Sequence, residues 1–210
     1  MKFWTIQPWN VVEIVMQEGI YLPDFDKSAY LRRFIEAGNT DMVGLYRAVL
    51  EGYAARNGVA LRGVVFGFIT MDDNGFIHPI ASKAEFDAFM QRKASAVGSL
   101  LKTLKGQPDA MLLELEYPDR LFNPPLIDIN DFQALMPPLI ALPPYDTDEL
   151  VRLMRDFRAG KNTMPVMPSG VIQAHLPYID RNSLIGIYPI PQQGDGGNAE
   201  TEGTDRRAEA

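Results

Sequence analysis

The sequence predicts an α+β fold in which a mixed or antiparallel sheet packs against amphipathic helices. Three observations predict it. Short apolar runs such as MLLELEYP and GVVFGFITM carry the alternation or β-branched and aromatic enrichment of strands. Between them stand segments with apolar residues at i, i+3, i+4 and i+7, clearest in DMVGLYRAVLEGYAARNG. Many of the 16 prolines fall in the second half, which favours turns and short extended pieces there over long helices.

Lys2 to Gln7 reads as a short strand stopped by Pro8-Trp9-Asn10. Asn10 and Glu13 have capping-box spacing, Val11, Val12, Ile14 and Val15 supply an apolar side, and Gly19 is placed to end the helix. IYLPDFDKS returns to extended or turn structure. SAYLRRFIEAG is a short helix with Tyr30, Leu31 and Phe34 at helical spacing and Gly38 at its end. The longer helix from Asp41 carries Met42, Val43, Tyr46, Val49, Leu50, Tyr53 and Ala54 on one face, with Tyr46 and Tyr53 turned inward, and Asn57-Gly58 closes it. Its Met42/Tyr46/Val49/Tyr53 stripe is expected against a strand spanning Val64–Ile69, and DDNG is that strand's turn.

Ser82 and Glu85 again have capping-box spacing in SKAEFDAFMQRK, and Gly98 weakens the helix before LLKTLKGQPD. Met111 to Tyr117 is the next strand. Asn130-Asp131 is placed to cap a short helix through Met136, which Pro137-Pro138 ends. Asp146 and Glu149 frame another helix with Val151, Met154 and Phe157 on its apolar face. VIQAHLPYIDRNSLIGIYPI reads as two adjacent antiparallel strands around the turn DRNS. One compact domain over residues 1–191 is expected, followed by an acidic, Gly-rich, disordered tail at 192–210.

The absence of cysteine excludes disulfides, thiolate nucleophiles and Cys-ligated metal centres, and fits a cytoplasmic setting. A formal charge of −7 opposes non-specific binding to nucleic acid or anionic membranes. No apolar run approaches a membrane span, and the first residues lack the layout of a secretory signal. GVVFGF has neither a third glycine nor a Lys-Ser/Thr ending, so it is neither a dinucleotide nor a phosphate loop. His78 and His175 lack metal-ligand spacing, and no metal site is expected.

The strand at 111–117 offers a polar pair. Alternation puts Glu114 and Glu116 on one face with Leu112, and Met111, Leu113 and Leu115 on the other. Two carboxylates on one face can bind a cation, orient a hydroxyl or divide acid and base roles; a solvent-facing strand edge is the plainer alternative. In the first strand Thr5 and Gln7 share a face opposite Trp4. Their hydroxyl and amide suit ribose or amide groups, and Trp4 or Trp9 suits a flat ligand. Backbone hydrogen bonding and core anchoring are the alternatives here.

WTIQPWNVVEIVMQEGIY resembles the start of an uncharacterised bacterial and phage family that opens with a Trp-Thr-Ile-Gln-like strand and a helix ending before Gly. MLLELEYPDRLF resembles the same family's later Leu-Glu strand leading into Pro-Asp. The likeness covers 2–22 and 111–135; GVVFGF stands where that family has an aromatic, Pro-rich segment. More distantly, the strand–helix opening is similar to ADP-ribosyltransferase-type folds. That resemblance implies NAD as cofactor, Trp4, Thr5 and Gln7 at the cofactor, and Glu114 or Glu116 stabilising the oxocarbenium-like transition state of nicotinamide release. Trp4 stands where that motif has His or Arg. The expected partner is a small nucleotide. The alternative is a non-enzymatic accessory that contacts protein through LFNPPLIDIN, LMPPLIALPPYD and TMPVMPSG.

Overall fold

Strand β1, Lys2–Pro8, runs without a break into helix α1, Trp9–Glu18. The structure, a computed structural model, describes residues 1–92, 109–118 and 122–190. The tail at 192–210 and the segment around Gly98 lie outside them. The expected Asn10/Glu13 capping box does not form: α1 starts two residues earlier, Pro8 is its uncapped N-cap, and Trp9 Nε1 donates to Glu13 instead, at 3.0 Å. Proline at a helix entrance loses nothing by lacking an N–H. Gly19 closes α1 at φ +88°, donating its N–H to the Val15 carbonyl as expected.

A short strand β2, Ile20–Tyr21, and a single 3₁₀ turn at Phe25–Lys27 lead to helix α2, Ala29–Glu36, capped by the Ser28 hydroxyl. Helix α3, Thr40–Asn57, is capped by Asn39 and closed by Gly58. Strand β3, Val65–Met71, turns through Asp72–Gly75 into β4, Ile77–His78. In helix α4, Lys83–Arg92, the Glu85 amide donates to the Ser82 hydroxyl while the Glu85 carboxylate reaches back to the Ala81 amide. Strand β5 is Ala110–Glu116 and β6 is Leu126–Asp128. Helix α5, Ile129–Ala134, is capped by Asp128, two residues before the expected cap, because that carboxylate also holds the Ser169 amide. Helix α6, Thr147–Arg158, is capped by Asp146. Strands β7, Val171–Leu176, β8, Ile179–Asp180, and β9, Leu184–Pro189, complete the described chain.

A seven-stranded sheet has the order β6-β7-β3-β1-β5-β9, with β4 also on β3, and the described pairings are antiparallel. The fold is therefore α+β as expected. The last two long strands are a correction. They are not neighbours: β7 pairs with β3 and β6, and β9 crosses to the far side of β5. The residues between them form β8, which pairs with β2 in a separate ribbon, so the DRNS turn serves a different connection.

Residues partnered across an antiparallel ladder share a face. Trp4–Phe68, Trp4–Glu114 and Phe68–Gln173 are such pairs, so these four define the front of the sheet. On the back, Val11, Val12 and Val15 of α1 pack against Phe3, Leu113, Leu115 and Leu176. The front carries two clusters. Trp4, Phe68 and Leu112 pack with Phe86 and Phe89 of α4. Leu45, Val49 and Tyr53 of α3 pack with Val64, Phe132 and the Leu150, Leu153 and Phe157 side of α6. Within the expected α3 stripe, Tyr46 is only partly buried, and Leu45 and Ala48 lie deeper. The apolar face of α6 is likewise rotated from expectation: Val151 is 65% exposed. Helices α3 and α6 approach so closely that a Cβ on Gly52 would sit 2.4 Å from the Phe157 carbonyl oxygen.

Candidate functional site

The five residues singled out in the sequence divide between the two faces. Trp4 is wholly buried on the front, donating Nε1 to the Ile80 carbonyl at 2.8 Å and stacking on Phe86 at 5.2 Å. Thr5 points to the back, paired with Leu113, and its hydroxyl donates to the Phe66 carbonyl at 2.8 Å while accepting from Gln7 Nε2 at 3.0 Å. Each has the anchoring role given as its alternative.

Glu114 and Glu116 do share a face, and their environments differ sharply. Glu114 is 7% exposed and holds Lys2 Nζ at 2.5 Å and the Tyr188 hydroxyl at 2.9 Å. These hydrogen bonds raise the pKa of both the ammonium and the phenol, since each proton is held against a carboxylate. Glu116 is exposed at the end of β5, beside a shallow depression shared with Asp180 and Asn182. The solvent-facing alternative thus fits Glu116 and not Glu114. The Glu114 carboxylate and the Thr5 hydroxyl lie on opposite sides of the sheet and do not border one cleft.

The larger cavity lies elsewhere. Beyond the registered Trp4–Phe68 pair, the ladder between β1 and β3 is not continued, whereas β1 pairs with β5 along all seven of its residues. The Thr5 hydroxyl spans this opening to Phe66. A cleft of about 670 Å³ fills it, bounded by the β1–α1 junction, the loop after β2, α3 and the end of α5. That volume is typical of small-molecule sites. Gln7 reaches it from the back; Phe66, Phe68 and Gln173 line it from the front. Of the five sequence candidates, Gln7 alone is among its lining residues.

One wall of the cleft is aromatic. Phe25 meets Tyr46 edge-on at 4.9 Å, Tyr46 meets Phe66 at 6.1 Å, and Phe66 meets Phe132 at 5.9 Å. The polar lining includes four carboxamides, Gln7, Asn10, Gln133 and Gln173, beside the hydroxyl-bearing Tyr21, Ser28 and Tyr46. One carboxylate and one ammonium border it, Asp24 and Lys27, and Asp24 is already paired with Arg62 at 3.0 Å. The lining is therefore close to neutral in formal charge.

Gln173 is a residue that the sequence reading passed over, and His175 entered it only as a histidine without metal-ligand spacing. Both are wholly buried, and they lie at alternate positions of VIQAHL. Two polar side chains on one face of an otherwise apolar strand are the signal that marks them. Gln173 Nε2 stands 3.3 Å from His175 Nε2. His175 is surrounded by Phe66, Phe132 and Phe157 at ring distances of 5.6, 6.4 and 5.6 Å. Burial pushes its pKa down to about 3, so the ring is neutral.

Other buried acids have structural duties. Asp131, its pKa raised by burial, accepts from the Tyr145 hydroxyl at 2.7 Å and from the Val166 amide. Among the described residues, no three His, Asp or Glu side chains gather to hold a metal ion, and no helix is long and apolar enough to cross a membrane. Comparison of the chain with protein-family models, curated proteins and solved structures gives no match.

Proposed function

We propose that this chain binds a small, uncharged, largely apolar molecule in the cleft between β1 and β3. The observation that carries this reading is the cleft of about 670 Å³ with its aromatic wall and carboxamide lining. An apolar ligand body gains roughly 25 cal/mol per Å² buried there. Carboxamides orient a ligand through hydrogen bonds without demanding a charge. A nucleotide has a flat base suited to the wall, but its phosphates would meet Asp24 together with Lys27 as the one lining ammonium.

Titration with N-phenyl-1-naphthylamine, a neutral dye whose emission rises in apolar surroundings, tests the reading. Saturable enhancement is expected, weakened about tenfold or more by Gln133→Trp at the cleft while the thermal melt is retained. Non-saturable emission, or affinity unchanged by that substitution, overturns it. NAD-dependent ADP-ribosyl transfer is the competing outcome. Nicotinamide release from NAD that falls about 100-fold in Glu114→Gln or Glu116→Gln would place the working site on the front of β5 instead.

A second reading, contact with a protein partner, draws on Leu139, Ile140 and Leu142, which are 55%, 59% and 62% exposed in the Pro-rich segment before α6. Association that disappears when all three become Ser, read by light scattering over a concentration series, would support it. A monomer at every concentration would remove self-association from that reading.

A further inference from the structure

We infer that the cleft selects planar aromatic ligands over saturated ones of the same size, and that Phe66 is the ring they are read against. This rests on the cleft reading above. Phe66 lies on β3, an interior strand with β7 on one side and β1 on the other. A large apolar side chain in such a place is ordinarily covered. Phe66 is nevertheless only partly buried, next to the point where the β1–β3 ladder stops, and it lines the cleft.

Its surroundings fix how the ring stands. Its aromatic neighbours are His175 at 5.6 Å, Phe132 at 5.9 Å, Tyr46 at 6.1 Å and Phe25 at 6.4 Å. Phe25 lies within 28° of parallel to it, while Tyr46 stands across both, at 85° to Phe25 and 67° to Phe66. With four rings packed against it, Phe66 keeps little rotamer freedom for a ligand to freeze out. Aromatic rings favour offset-stacked or edge-to-face neighbours at centroid distances of about 4.5–7 Å, because the face is electron-rich and the edge electron-poor. Tyr46 and Phe66 are both partly buried lining rings. A flat aromatic ligand stacked on one of them is turned steeply to the other, so both favoured arrangements are met together. A saturated ring carries hydrogens on every side and has no π face. It gains from burial alone and, being puckered, is thicker.

The test uses 2-naphthol and decahydro-2-naphthol as competitors for bound N-phenyl-1-naphthylamine on the full chain. Both carry a hydroxyl on the same fused carbon skeleton, and only the naphthol is flat and aromatic. The naphthol is expected to displace the dye at about tenfold lower concentration. In Phe66→Leu, which keeps an apolar side chain, dye binding weakens but stays saturable, and the competitors come within about threefold of each other. The phenol is also the stronger hydrogen-bond donor, a difference that Phe66→Leu leaves in place, so a preference that survives the change is not a ring effect. Tyr46→Leu is expected to shrink the preference in the same direction, and it decides the matter if Phe66→Leu does not fold. Phe86→Leu, whose ring stacks on Trp4 outside the cleft lining, leaves the preference as in the wild type. Equal displacement by both competitors in the wild type, preference for the saturated alcohol, failure of both to displace bound dye, or a preference unmoved by the Phe66 and Tyr46 changes overturns the aromatic inference and leaves the cleft reading standing. Absence of saturable dye binding overturns both.

Discussion

An imidazole in the unfolded chain titrates near 6.5, whereas burial of His175 among three phenyl rings lowers its folded value to about 3. Between those values the unfolded state binds the extra proton. Stability from this residue is therefore complete above about pH 6.5 and is lost as pH falls, at up to about 1.4 kcal/mol per unit. Asp72, Glu149 and Asp156, whose pKa values are lowered by hydrogen bonds to His78, Arg152 and Arg155, contribute to acid lability mainly below the ordinary carboxylate range. Urea unfolding between pH 6.5 and 5 should thus show a falling stability that flattens in His175→Leu; an equal slope in both proteins would place the titrating group elsewhere. The two strand glutamates should also separate. Glu114→Gln removes the charge that holds Lys2 and weakens the bond to Tyr188, at a cost of about 1–2 kcal/mol, while exposed Glu116→Gln should cost less than about 0.5 kcal/mol. Equal unfolding midpoints for the two variants would contradict that assignment.

At the level of elements, the tightest constraint is the crossing of α3 and α6. Gly52→Ala would drive its Cβ against the Phe157 carbonyl, and backbone there cannot swing aside as a flexible side chain does. A loss of about 1–3 kcal/mol is expected in thermal or urea unfolding; an unchanged or raised stability would show that the crossing has slack. Local patterns foretold most of these elements, because they depend on neighbours in sequence. The Leu/Glu alternation of β5, the Asp146 cap of α6 and the glycines closing α1 and α3 were legible in this way. Choices made by distant contacts were not. Asp128 caps α5 because it also binds Ser169, and Val151 turns outward because Leu150 and Leu153 fit α3 better. The separation of β7 from β9 was hidden for the same reason, since a short turn between two extended runs does not reveal that β8 leaves to join β2. Tyr46, Phe66, Gln133 and Gln173 come from four segments spread across the chain, so the cleft itself left no contiguous mark.

For the whole molecule, one sheet carries all three apolar clusters, and Trp4 sits within the one under α4. Its fluorescence change and the loss of helical circular dichroism should therefore coincide in a single unfolding transition. Two separated transitions would mean that the α3–α6 layer unfolds apart from the rest. The same sheet separates two regions competing for the functional role: the cleft where β1 and β3 part, and the front of β5 bearing Glu114 and Glu116. Backbone amide and side-chain amide shifts, followed by NMR while N-phenyl-1-naphthylamine is added, distinguish them directly. Saturable shifts centred on Gln7, Tyr46, Phe66, Gln133 and Gln173 are expected, with Glu114, Glu116 and Tyr188 unmoved. Shifts centred on Glu114, Glu116 and Tyr188, with the cleft residues still, would contradict that expectation.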